Sequence, residues 1–361
     1  MNLAKIGKWS TSLLFLVLIV LVSSCAEEMP QQTFKEFLAL HSYNVGQIQL
    51  EYKDHSRDRL LKTEVWYPTK DTMGYNISKD YPFHLPPTSK NARMEDGRFP
   101  LILLSHGTGG NRISQMWLAC ELAGKGYIVV AVDHFGNTLD NQIPEYFVKI
   151  WHRPMDISFI LDKVLENREL IKSIDTTKIG VAGFSLGGYT TLALAGGHVS
   201  YSKLQSFSRT KRGRREFTTP EIGDVSNLIT PEIVKEGPKY NLELKDERIK
   251  AFVAMAPALG QGFENMYSFF NIDKPVLIIG AENDKIAPVH TNARYYHEMI
   301  QNATYIELEG EVGHYVFMNE AKSGLKRSAP RIFKDRESVN REKIHKEVGE
   351  IVVSFFRKSF E

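Results

Sequence analysis

Residues 178–188 read Lys-Ile-Gly-Val-Ala-Gly-Phe-Ser-Leu-Gly-Gly, a short apolar run that ends in Gly183-Phe184-Ser185-Leu186-Gly187. The chain then passes directly into small, helix-compatible residues, Tyr189 to Ala195. A strand that ends in Gly-x-Ser-x-Gly and opens a helix is a sharp turn that lifts a serine hydroxyl clear of the backbone. Crowding explains the glycines: a serine held at such a turn needs neighbours without side chains. The helix N-terminus directs amide hydrogens at an oxygen placed above the serine. Ser185 is therefore the candidate nucleophile, and the amide of Leu186 is a candidate oxyanion donor.

A serine hydroxyl needs a base, and the base needs an orienting acid. After such an elbow the chain order is serine, then acid, then histidine. The apolar run Pro275 to Gly280 leads into Ala281-Glu282-Asn283-Asp284, with Pro288 closing the turn. Asp284 is the candidate acid and Glu282 its local rival. A last strand is expected near Thr304 to Leu308, and after Glu309 come Gly310-Glu-Val-Gly313-His314-Tyr315. His314 is thus a glycine-flanked loop histidine after a late strand. His297 and His345 fall on expected helices and do not combine those features. The second oxyanion donor should come from the loop after Ser105, His106-Gly107-Thr108-Gly109-Gly110. Thr108 is the choice, with Gly107 and Gly109 as alternatives, and His106 is read as a brace for the loop. Arg153 and Asp156 are read as an ion pair that braces structure and not as chemistry.

Apolar runs at Phe99 to Ser105, Tyr127 to Asp133, Ile249 to Met255 and Pro275 to Gly280 suit strands buried on both faces. Earlier strands are expected at Val45 to Tyr52 and Leu60 to Tyr67, and residues 68–98 read as loop. Helical spacing appears near 114–123, across 155–167, and at Ile344, Val348, Ile351, Val352, Phe355 and Phe356. Strands alternating with helices imply an α/β class with a mainly parallel central sheet and helices on both faces. Ligands then bind at the carboxyl ends of the strands, where Ser185, Asp284 and His314 all fall.

Residues 1–24 have the form of an export signal. Lys5 and Lys8 precede an apolar core from Leu13 to Val22, too short to span a bilayer, and Val22-Ser-Ser-Cys25 resembles a bacterial lipobox. The expectation is cleavage before Cys25, lipidation of that residue, a tether over 25–42, and a single domain from 43 to 361. The protein would then be an exported, membrane-anchored lipoprotein, at the outer membrane on its periplasmic face or the cell surface. Cys120 is left without a partner, so no disulfide is expected. A formal net charge of +2 gives no general attraction to nucleic acid. No metal-ligand spacing or phosphate loop appears, so no metal and no cofactor is expected.

An insertion at about 200–248 separates the elbow helix from the next strand. Its first part carries six basic residues and no acidic one between Lys203 and Arg215. It reads as a solvated loop or, alternatively, as a lid whose basic edge meets anionic groups.

Taken together, Thr63-Glu-Val-Trp-Tyr-Pro68, Leu104-Ser-His-Gly-Thr-Gly109, His152-Arg-Pro-Met-Asp156, the elbow, Asp284 and His314 make the chain resemble an α/β-hydrolase. The similarity is to the dienelactone-hydrolase-like group that includes platelet-activating-factor acetylhydrolase relatives, over about 45–357. It implies the α/β-hydrolase fold and covers the lid-like insertion at about 200–248 less well. Two departures stand out. Dienelactone hydrolases proper use a cysteine where this chain has Ser185. The acetylhydrolases place their acid after the strand that follows the elbow, where this chain reads Ala254-Met-Ala-Pro-Ala258. The expected activity is hydrolysis of a carboxylic ester, short-acyl or lipid-like, through an acyl-serine. A peptidase or acyltransferase with the same triad and a non-catalytic surface-binding lipoprotein are the alternatives.

Overall fold

The structure, a computed structural model, describes residues 41–72, 79 and 81–361. The leader, Cys25 and the tether up to residue 40 lie outside the described residues.

Eight strands carry the architecture: β1 (Asn44–Asp54), β2 (Arg59–Thr69), β3 (Phe99–Ser105), β4 (Ile128–Val132), β5 (Ile174–Phe184), β6 (Ala251–Met255), β7 (Val276–Ala281) and β8 (Ala303–Leu308). They form one sheet in the order β8-β7-β6-β5-β3-β4-β2-β1, with the two-residue strand Ser89–Lys90 at the β1 edge. From β8 to β4 every pairing is parallel, while β2 runs antiparallel to both β4 and β1. The inner parallel strands β4, β6 and β7 read as unbroken apolar runs because both faces are covered. In β3, Leu101 and Leu103 enter one core while Ile102 and Leu104 enter the other.

Among the described residues ten α-helices accompany the sheet: α1 (Met116–Gly124), α2 (His152–Glu166), α3 (Leu186–Ala195), α4 (Tyr201–Ser208), α5 (Lys211–Glu216), α6 (Pro231–Glu236), α7 (Ala293–Met299), α8 (Ser323–Ser328), α9 (Pro330–Phe333) and α10 (Arg341–Ser359). Residues of α2, α3 and α7 fill the core on one face, and those of α1 and α10 fill the core on the other.

The insertion differs from a solvated loop. It folds as α4, α5, a small hairpin pairing Thr218–Thr219 with Gly223–Asp224, and α6. Tyr201, Leu204, Phe217, Ile229 and Ile233 are buried and join the α2–α3 core. Five apolar anchors in a segment rich in charge suffice to hold it, because each buried side chain of this size contributes about 1.5–3 kcal/mol. Of the basic residues that dominated its sequence pattern, Lys211, Arg212, Arg214 and Arg215 are exposed on its outer side. Beyond β2, the described residues between 70 and 98 are largely loop, with the two-residue strands Phe83–His84 and Ser89–Lys90.

Candidate active site

The turn between β5 and α3 places Ser185 at φ 57° and ψ −116°, a conformation that costs a non-glycine residue about 1–3 kcal/mol. Its neighbours show what holds it. A Cβ on Gly183 would sit 2.1 Å from the carbonyl oxygen of Gly187, and a Cβ on Gly187 would sit 1.9 Å from that of Ser105. The first turn of α3 thus lies directly on the backbone that leaves β3. The Ser185 amide donates to Met255 O at the end of β6 (2.9 Å), and the Ser185 carbonyl accepts from Ala258 N (3.0 Å).

Ser185 Oγ lies 2.9 Å from His314 Nε2, and His314 Nδ1 lies 2.6 Å from Asp284 Oδ2. All three side chains are buried. The other carboxylate oxygen, Asp284 Oδ1, accepts from the amides of Ile286 (2.8 Å) and Ala287 (2.7 Å), which fixes the plane of the group. A carboxylate on Nδ1 leaves that nitrogen protonated, so Nε2 is free to accept the serine proton. Glu282 turns away from this line: it is exposed and its Oε2 accepts from Gly310 N (2.5 Å), bracing the loop that delivers His314. The Phe184 ring packs on the His314 ring with centroids 4.8 Å apart. His297 lies in α7, stacked on Tyr305, and His345 lies in α10, stacked on Trp117; both are remote from Ser185 in role.

Thr108 follows β3 and Leu186 opens α3, so the two candidate donors come from the two backbones that meet at Gly187 and Ser105. The Gly109 amide is turned toward Asn137 Oδ1 (3.5 Å) and the Gly110 amide toward Gly107 O (3.2 Å). Among the described residues the amides of Thr108 and Leu186 have no acceptor in the protein. The far end of the loop is pinned by Arg112, whose guanidinium reaches Asp133 (2.7 Å) and Glu64 (3.1 Å). Glu64 belongs to the Thr63–Pro68 segment, which gives that stretch a site-supporting role.

Beneath the loop lies a buried polar layer. His106 Nε2 accepts from the His134 amide (3.1 Å), so its Nδ1 carries the proton and donates to Gly107 O (2.7 Å). Ser105 Oγ donates to His134 Nε2 (2.9 Å), and His134 Nδ1 donates to Asp156 Oδ2 (3.0 Å). Burial and the Arg153 charge hold both imidazoles well below the usual histidine range, so both are neutral. Arg153 and Asp156 do not form the ion pair read from their spacing. Asp156 is taken by Arg59 through two bonds of 2.9 Å and by Arg57 at 3.0 Å. Arg153 points the other way, to Asn137 Oδ1 (2.9 Å), Thr190 Oγ1 (3.3 Å) and the His106 carbonyl. One turn of helix separates the two side chains, and each finds a nearer partner. Burial lowers the Arg153 pKa to about 9, so its charge survives at neutral pH.

The insertion reaches the site through its hairpin. A Cβ on Gly109 would lie 3.2 Å from Glu221 Cβ, which puts Glu221 over the oxyanion loop. Burial and the Glu221 carboxylate push the Tyr315 phenol upward, so Tyr315, next to His314, stays protonated. Sequence patterns did not single out Glu221, Tyr315, Asn137, Thr190 or His134. Only His134 had a usable signal, its place one residue past the Tyr127 to Asp133 run.

Comparison with known proteins agrees with this arrangement at the level of fold. A family model for platelet-activating factor acetylhydrolase, isoform II, matches residues 65–141, which include the oxyanion loop but not the elbow. Cutinase 2 of Thermobifida cellulosilytica is 24% identical over 221 residues, covering 60% of this chain and 61% of that protein. Cutinase est2 of Thermobifida alba is 25% identical over 221 residues, covering 60% of this chain and 53% of that protein. The chain therefore spans between half and two thirds of the length of these relatives. A ferulic acid esterase from Streptomyces cinnamoneus superposes with a TM-score of 0.54 at 18% identity, covering 87% of this chain and 89% of that one. The chain has the α/β-hydrolase fold: a mostly parallel central sheet flanked by helices, with Ser185 at its elbow. Within that superfamily its similarities are to esterases.

Proposed function

We propose that the protein is a serine hydrolase of carboxylic esters. The observation that carries the reading is the continuous chain Ser185 Oγ to His314 Nε2 (2.9 Å) and His314 Nδ1 to Asp284 Oδ2 (2.6 Å). Ser185 Oγ attacks the ester carbonyl while His314 takes its proton. Asp284 holds the imidazole in the required tautomer and stabilises the imidazolium. The amides of Thr108 and Leu186 receive the oxyanion. His314 then returns the proton to the departing alkoxide, leaving an acyl-serine and a free alcohol. Water, deprotonated by His314, opens the acyl-serine to release the carboxylic acid. Similarity to cutinases and to a ferulic acid esterase supports ester substrates over amides. The test is hydrolysis of a 4-nitrophenyl ester series from acetate to palmitate beside a Ser185→Ala variant. Turnover that vanishes in the variant, with labelling of Ser185 by a fluorophosphonate, supports the reading; no turnover and no labelling overturns it.

Export and lipidation at Cys25 extend the proposal, supported by the basic, apolar and small-residue order of residues 5–25. Incorporation of a clickable fatty acid by the native chain, lost in Cys25→Ala, is the expected result.

A further inference from the structure

A cavity of 210 Å³ borders His314 and Tyr315. His314 and Tyr315 form its floor, Lys285 and Ile286 of the acid loop form one wall, and Arg331 and Lys334, at α9 and just after it, form the other. Its lining sets Lys285, Arg331, Lys334 and Arg336 against Glu311 and Asp335, and both carboxylates are already engaged. Asp335 is held by both arms of the buried Arg341 guanidinium (2.8 and 2.9 Å), and Glu311 accepts from Ser338 Oγ (2.6 Å) and lies 4.0 Å from Arg336. Lys285, Arg331 and Lys334 form no ion pair among the described residues, although the surface elsewhere is laced with them. Three unpaired cations thus converge on a small cavity whose floor is the proposed base.

A concave wall of one sign concentrates counter-ions and steers charged substrates. Direction within the substrate follows from the proton path. His314 Nε2 must deliver its proton to the departing oxygen, so the alcohol portion is the part that lies over the imidazole and extends past it.

From this geometry we infer that the substrates are esters whose alcohol portion carries an anionic group, a carboxylate or phosphate, seated among Lys285, Arg331 and Lys334. The inference rests on the ester-hydrolase reading above and adds the substrate class to it.

The test compares two acetates of one shape with the full chain in detergent: 4-acetoxybenzoate, with an anionic leaving group, and 4-acetoxybenzamide, with a neutral one. Each kcat/KM is divided by the hydroxide-catalysed rate of the same ester. A preference for the anion of about tenfold at low salt is expected, shrinking toward parity in about 1 M sodium chloride. The double variant Arg331→Glu/Lys334→Glu should invert the ratio. An arm with 4-acetoxyphenyl phosphate separates a phosphate preference from a carboxylate one. An arm with 4-nitrophenyl hemisuccinate against 4-nitrophenyl butyrate puts the charge on the acyl side, where no comparable preference is expected. Equal normalised rates for the two acetates, or a preference that neither salt nor charge reversal moves, overturns the inference. In that outcome, turnover of the benzamide that disappears in Ser185→Ala leaves the ester-hydrolase reading standing. If neither acetate turns over, that reading is decided by the 4-nitrophenyl series and fluorophosphonate labelling above, and the cavity is judged by calorimetric binding of 4-hydroxybenzoate to the Ser185→Ala protein. Saturable binding lost on charge reversal sustains the anion site, and no binding sinks it.

Discussion

The buried guanidinium of Arg153 donates to the main-chain carbonyl of His106 and lies 3.3 Å from Thr190 Oγ1, so one side chain ties the oxyanion loop to the elbow helix. Thr190 Oγ1 in turn donates to Leu186 O (3.0 Å), and Arg153 Nη1 holds Asn137 Oδ1, which faces the Gly109 amide. Arg153 therefore sets the spacing between the two backbones that carry the proposed oxyanion donors, without touching the substrate. Arg153→Met should leave the His106 carbonyl unsatisfied and Asn137 Oδ1 with the Gly109 amide alone, and reduce kcat about 100-fold, with a smaller change in KM. Stability should fall by about 1–3 kcal/mol, the cost of an unsatisfied buried acceptor. Arg153→Lys keeps the charge but not the fork and should fall between. Steady-state kinetics on the folded fraction read this, and a kcat per folded molecule equal to that of the parent would remove Arg153 from the mechanism.

The Asp284 carboxylate is held by three hydrogen bonds, two from backbone amides and one from His314. Asp284→Asn keeps the shape but presents an amide to Nδ1 and favours the wrong tautomer. A loss of about 10⁴ in kcat is expected with the fold intact. Because the three residues act as one unit, Ser185→Ala and Ser185→Ala/His314→Ala should be about equally inactive. A double variant much weaker than either single one would contradict the proposed division of roles.

The parts of this molecule visible in its sequence are those fixed by local backbone chemistry. Gly183, Gly187 and Gly188 sit where a side chain would strike backbone, so the elbow has a local signature. Asp284 and His314 follow strand ends, which apolar runs reveal. What stayed hidden depends on which partner a long polar side chain selects once the chain is folded. Arg153 and Asp156, three apart on one helix, read as a pair; tertiary packing brought Arg59 to one and the His106 carbonyl to the other. The insertion was opaque for a related reason. Its anchors, Tyr201, Leu204, Phe217, Ile229 and Ile233, are spread over several short elements, so no sustained period betrays a buried face. Glu221 gained its place over the oxyanion loop only because that hairpin folds back.

Gly187→Ala tests the contact between the elbow helix and β3. The added methyl would meet Ser105 O at 1.9 Å, and that oxygen belongs to backbone, which has no flexible end to move aside. The first turn of α3 would have to shift, carrying Leu186 N away from the oxyanion position. Loss of at least about 100-fold in kcat is expected, with a lowered melting temperature. Gly310→Ala is the control, since nothing lies within 4 Å of its Cβ position, although its φ of +85° carries a cost of about 1 kcal/mol. Comparable activity in the two variants would show that the close approach at Gly187 is not required.

Acid should destabilise this protein early, through histidines kept neutral by burial. His345 stacks on Trp117 with centroids 4.1 Å apart, and Val316 O lies 2.8 Å from its Nε2; burial lowers its pKa to about 3. Burial and nearby arginines lower His152 to about 4 and hold His106 and His134 well below the usual range. In each case the folded-state pKa lies below the unfolded value of about 6.5. Between those limits the unfolded chain binds more protons, so stability is complete above about pH 6.5 and declines as pH falls toward the folded pKa. Each such histidine contributes up to about 1.4 kcal/mol per pH unit. Glu64 and Asp133, whose pKa values burial raises, act in the opposite direction but are fewer. Melting temperature measured from pH 8 to pH 4 should hold level to about 6.5 and then drop. His345→Gln, which preserves a donor toward Val316 O and cannot titrate, should flatten that drop. An equally steep fall in the variant would assign the acid sensitivity to the histidines around the oxyanion loop, and a level profile in the parent chain would refute the account.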